Sequence, residues 1–229
     1  MKKIFLSPFF APAFYTLSWG LLLFIVLFFF NAQKFEITTD GQIIDILTYT
    51  GYVLMLLTML FCIKDFKGKM FCFSIYLTLG IAALLREAGI QHHLTKTDTT
   101  PFKSRFFLNP DNPLSEKIIF GAVLIIIFGA LLYLAFKYSK HLIVSFFKFD
   151  TLTWSIATFC SVLVFAKFAD RFPSNWRHLK NLTTLDREFI DIWSLLEESS
   201  ELFLPYLVII CFIQYHLITS NSQTTGVSR

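Results

Sequence analysis

The run IIFGAVLIIIFGALLYLAF, residues 118–136, decides the fold: it holds nineteen consecutive residues without a charge. At 1.5 Å rise per residue, a helix of about 20 residues matches a hydrocarbon slab of roughly 30 Å. With no water there to satisfy backbone groups, the run must bond internally, which a helix does. The residues just ahead mark its start. Asn112 is placed to cap the helix, Pro113 fits the first helical position because its missing N–H is not needed there, and Glu116 complements the positive end of the helix dipole.

Working outward, five more runs have the same character, at about 14–30, 43–63 and 70–90 before it and 151–169 and 202–218 after it. The expected fold is all-α, a polytopic transmembrane helix bundle of about six helices. Residues 1–218 form a single transmembrane domain, and 219–229 a polar C-terminal tail expected to be disordered. Composition agrees, with 55% hydrophobic and 16% charged residues and a mean hydropathy of +0.61, far from a soluble domain. The connections are too short to hold a separate soluble domain. The run at 14–30 is long for a secretory signal, and Asn31-Ala32-Gln33 is not a small-residue cleavage site, so it reads as an uncleaved first helix. Ahead of the last run, Leu185, Phe189, Ile192, Leu196 and Phe203 recur at helical spacing, while Arg187, Asp191, Glu198 and Glu201 take another face. This stretch is expected to lie along the membrane surface before the last span turns in.

The 29 Phe residues read as lipid-facing filler rather than as an aromatic ligand cage. Cys62, Cys72, Cys160 and Cys211 lie in or beside apolar runs and form no Cys-x-x-Cys pair. They give neither a disulfide framework nor a thiol oxidase and read as small apolar residues. No internal repeat relates the two halves, which counts against an inverted-repeat transporter.

Orientation follows from the loop charges. With the N-terminus in the cytoplasm, Lys2, Lys3, Lys64, Lys67, Lys69, Lys137, Lys140, Lys148 and Arg229 lie inside, against only Asp65 and Asp150. The other side then carries eleven cations and fourteen carboxylates. Residues in the tight inner turns weigh most, so both termini are expected in the cytoplasm.

That topology gathers one polar constellation at the outer face: Arg86 and Glu87, then Lys167, Asp170 and Arg171, then Glu197, Glu198 and Glu201. The chain has few Arg, and five of them, Arg86, Arg105, Arg171, Arg177 and Arg187, fall on this face. Arg holds a carboxylate or phosphate at two points where Lys cannot, so the placement suggests organised pairing. Glu197 and Glu201 are four apart, and Glu198 and Glu201 three apart. Like charges so spaced repel unless a cation sits between them. Pro205 has no N–H, so the carbonyl of Glu201 loses its helical partner, and a kinked helix with an acidic mouth is expected. In one reading Arg86, Arg171 and Lys167 bind these carboxylates in a structural network. In the other the cluster holds a cation, a proton or a lipid headgroup.

His92 and His93 are candidate metal ligands beyond Glu87, although adjacent His side chains diverge on a helix and no repeated His spacing accompanies them. His178 and His216 add no useful spacing. Residues 95–101 read as exposed loop, and Lys103-Ser104-Arg105-Phe106-Phe107 as an interfacial anchor. Residues 84–117, with Arg86-Glu87, His92, this anchor and Pro113, resemble uncharacterised multi-pass bacterial inner-membrane proteins. The resemblance implies location and carries over no functional residue. The His pattern of ceramidase-type intramembrane hydrolases is missing.

The expected function is that of a non-enzymatic binding, accessory or structural membrane component, with membrane lipid as a partner and neither cofactor nor nucleic acid. A protein partner or a second copy stays open. One alternative is a small transporter or ion-coupled carrier, for which the middles of the first, fourth and fifth runs offer little beyond Ser, Thr and Gly. Another is a lipid-modifying enzyme with Glu197, Glu201 or Asp170 as base, for which no nucleophile motif is present.

Overall fold

A computed structural model describes residues 2–29, 43–89, 104–180 and 184–224. Among these residues there are eight helices and no strand: α1 (Lys2–Phe5), α2 (Phe10–Phe29), α3 (Ile43–Phe61), α4 (Met70–Glu87), α5 (Ser104–Leu108), α6 (Leu114–Phe147), α7 (Thr151–Leu179) and α8 (Arg187–Thr224). Six of them, α2, α3, α4, α6, α7 and α8, are long and apolar enough to cross a bilayer. The chain is an all-α, multi-pass membrane protein. Its outward side chains fit that solvent: Ile125 and Phe136 on α6 are 74% and 82% exposed, an aggregation hazard in water and the ordinary state in lipid.

Several helices start where the sequence places them, α2 starts earlier than the run at 14–30, and some run further than expected. α2 begins at Phe10 and takes Pro12 into its first turn, where an N–H has no partner to lose. α6 continues through the basic stretch 137–147 that was expected as a connection, because charge ends an apolar run without ending a helix. It stops in a tight turn where Phe149 takes φ 55°. Asp150 then caps α7, its carboxylate accepting from the Thr153 N–H at 3.1 Å. The stretch from residue 187, expected as a surface segment, runs as one helix with the last span, through Pro205. The same helix carries on to Thr224, so residues 219–224 of the expected tail are helical. At 1.5 Å per residue α6 and α8 are about 51 and 57 Å long, so their ends extend beyond a core of roughly 30 Å.

The chain divides into two compact units. The first comprises Met1–Asp65 and Ser145–Arg229. Here α8 packs against α2, α3 and α7, and α2 also meets α7. One cluster joins Ala11, Val162, Leu204, Leu207 and Ile210, and another joins Val26, Ile44, Leu195, Leu202 and Phe203. Gly51 lets α3 approach α8 closely: a Cβ there would stand 2.9 Å from both the Pro205 Cγ and the Tyr206 ring.

The second unit is Phe66–Val144. In it the buried Asn112, whose side chain was expected as a cap, donates its amide to the Phe106 carbonyl at 2.7 Å and so ties α5 to the start of α6. The Phe106 ring packs edge-on against Phe120, with centroids 5.6 Å apart. Lys137 on α6 reaches Cys72 on α4, its Nζ 3.0 Å from the sulfur.

Candidate functional site

Glu197 and Glu201 share one face of α8 because they are four residues apart. The packing of α7 on α8 brings Lys167 to that face. Its Nζ lies 2.6 Å from Glu201 Oε1 and 3.7 Å from Glu197 Oε1. A lysine from the neighbouring helix thus supplies a cation between the two carboxylates. The glutamate side chains are 14% and 23% exposed and the lysine 42%, so the group sits between a solvated surface pair and a buried one. Pro205 stands one turn below Glu201 within the continuous helix and is itself fully buried.

Other residues of the constellation also make contacts close by in sequence. Asp170 and Arg171 pair with each other at 3.6 Å one turn on from Lys167, and the Arg171 side chain is 75% exposed. The hydroxyl of Ser194 donates to Glu198 at 3.3 Å on its own helix. Arg86 and Glu87 lie at the end of α4 in the second unit, 3.9 Å apart. Across the α7–α8 contact, the ammonium of Lys167 is the cation that meets Glu201 and Glu197. His92 and His93 lie outside the described residues.

Sequence reasoning missed a polar seam inside the first unit. Ser199 and Ser200, fully buried on α8, meet two aromatics of α2: the Trp19 indole N–H donates to Ser199 Oγ at 3.0 Å, and the Tyr15 hydroxyl lies 3.4 Å from Ser200 Oγ. Ser200 in turn donates to the Leu196 carbonyl at 2.7 Å, leaving its oxygen to accept from Tyr15. Four turns further along α8, the fully buried Gln214 accepts from Ser155 at 2.6 Å and donates to the Phe5 carbonyl at 3.0 Å. One amide thus ties α7, α8 and α1 together. Tyr15 and Trp19 at a four-residue spacing were a usable signal, and so was Gln214, a costly side chain in an apolar run.

Chemically, the α7–α8 site sets one ammonium against two carboxylates, and the same two helices carry two exposed arginines, Arg171 and Arg187, the latter 3.9 Å from Asp191. Comparison with known proteins finds no matching family model, no similar curated protein and no similar solved structure.

Proposed function

We propose that this chain is a non-enzymatic component of the bacterial inner membrane, a binding, accessory or structural partner with both termini in the cytoplasm and its charged cluster on the outer face. The observation that supports this reading is Lys167 held between Glu197 and Glu201. A carboxylate engaged at 2.6 Å by an ammonium ties two helices, whereas a general base needs a lone pair open to its substrate. The exposed guanidinium groups of Arg171 and Arg187 suit the phosphates of lipid headgroups at the same level.

Stability measurements separate this reading from its rivals. Lys167→Met and Glu201→Gln are each expected to destabilise the detergent-solubilised protein by about 2 kcal/mol, between the values for exposed and buried pairs. The double variant should lose less than the sum. A catalytic or transport carboxylate behaves otherwise, because functional sites are strained and their removal often leaves stability unchanged or raised. A Glu201→Gln protein as stable as the wild type would overturn the structural reading.

The orientation is tested separately. Reporter fusions within residues 64–69 and beyond the end of α8 should both read cytoplasmic, and one near residue 99 external. An external signal from the 64–69 turn would reverse the topology.

A further inference from the structure

Beyond the charged cluster, a second group of side chains carries chemistry that the proposed function does not use. α3 ends at Phe61, and the chain tightens into a 3-10 turn over Cys62–Phe66. With three residues per turn, Cys62 and Asp65 stand in line one above the other, where an α-helix would leave them offset. His216 meets them from α8. Its Nδ1 lies 2.7 Å from Asp65 Oδ2, and one donor atom from each of the three residues lies within 4.8 Å of the other two. Cys62 is buried, and its thiol points to the Phe212 carbonyl at 3.7 Å. The Phe61 ring meets the imidazole edge-on, with centroids 5.7 Å apart. Beside the trio, a cavity of about 420 Å³ is lined by Cys62 and His216 together with apolar side chains such as Leu54, Leu57 and Ile213.

We propose that Cys62, Asp65 and His216 form a binding site for a thiolate-preferring divalent cation of the zinc class. Sulfur, imidazole nitrogen and carboxylate oxygen together suit such an ion, whereas magnesium and calcium take oxygen donors. Three protein donors leave the fourth tetrahedral position for a water or small anion on the cavity side, the arrangement of sites that do more than hold structure. Charge favours it too. A dication with one thiolate, one carboxylate and a neutral imidazole is neutral overall, which lowers the cost of burial at a helix end in a membrane protein. On binding, the Cys62 Sγ–H bond breaks, its proton goes to solvent and the sulfur lone pair goes to the metal; a proton on the Nδ1 of the neutral His216 imidazole shifts to Nε2 as Nδ1 turns its lone pair to the cation, so one proton in all is released. Neither the lysine–glutamate group nor the proposed scaffold role is needed for this.

The test uses the full chain in detergent micelles, titrated with Co²⁺ as a spectroscopic substitute for zinc. Saturation is expected at one Co²⁺ per chain, with a thiolate-to-cobalt charge-transfer band, the d–d bands of four-coordinate geometry and the release of about one proton per metal. Zn²⁺ should displace the cobalt, and excess Mg²⁺ should not. Cys62→Ser should abolish the charge-transfer band although Cys72, Cys160 and Cys211 remain, and His216→Gln should weaken affinity by at least about tenfold. A Cys160→Ala/Cys211→Ala variant leaves the trio untouched and should keep the band, so the outcome does not depend on the cluster variants folding. A wild-type protein with no saturable cobalt band would overturn the proposal. So would a band that survives Cys62→Ser, or one lost with Cys160 and Cys211.

Discussion

Gly51→Val is expected to destabilise the first unit by about 3 kcal/mol, the upper part of the usual range for overpacking a close contact. The new Cβ would meet the Pro205 ring and the Tyr206 ring at 2.9 Å. Neither neighbour yields easily. The proline ring is fixed to its own backbone, and the Tyr206 hydroxyl donates to the Leu47 carbonyl of α3 at 3.1 Å, so the two helices must separate. Separation is costly because helices in lipid associate through close packing rather than through exclusion of water. Gly51→Ala is expected to lose less, about 1 kcal/mol, since the gain of roughly 1 kcal/mol in helix propensity offsets part of the clash. Denaturant titration in micelles measures both. Adding Pro205→Ala should restore part of the loss by removing the Cγ that the new methyl meets, and full stability of Gly51→Val would show that α3 and α8 are not locked at this point.

Gln214→Leu should cost about 2 kcal/mol. The leucine fills a similar volume but leaves the Ser155 hydroxyl without its acceptor and the Phe5 carbonyl without its donor. Buried polar groups stripped of a partner cost about 1–3 kcal/mol each in water-soluble proteins and about 0.6 kcal/mol on average in membrane bundles, where the separated helices find other partners. Ser155→Ala added to Gln214→Leu is expected to recover part of the loss, because removing both members of a pair costs less than orphaning one. The same variant should free α1, read as faster proteolysis within residues 2–9. A Gln214→Leu protein with wild-type stability and an equally protected α1 would remove the amide's role as a tie.

The helix starts at Ile43, Met70 and Thr151 were legible because local rules govern them: each follows a polar or capping residue at the head of an apolar run. The helix ends were not. Hydropathy reports the thickness of the slab, so the fourth run reads as ending at Phe136, whereas α6 ends only at the turn made by Phe149 and Asp150. The carboxylate spacing on α8 called for a cation without identifying it. Lys167 and Arg171 are one turn apart on α7, and only the packing of α7 on α8 decides which reaches Glu201. In the trio of Cys62, Asp65 and His216, the histidine lies 151 residues along the chain from Asp65, and the 3-10 tightening that aligns the first two members leaves no mark in composition. Gln214 was different, since its cost in an apolar run was plain and only its partners were hidden.

The convergence of α2, α3 and α7 on α8 also sets the order of assembly during synthesis. α3 ends at Phe61 and its partner begins at Arg187, so at roughly 5–20 residues per second the ribosome needs on the order of ten seconds to supply it. Until then the earlier spans wait in the bilayer with Gly51, Trp19 and Ser155 turned toward a helix that does not yet exist. That interval is when an insertase or membrane chaperone has something to hold, and when a quality-control protease has something to cut. A ribosome that stalls before α8 therefore leaves behind three inserted helices with no common partner.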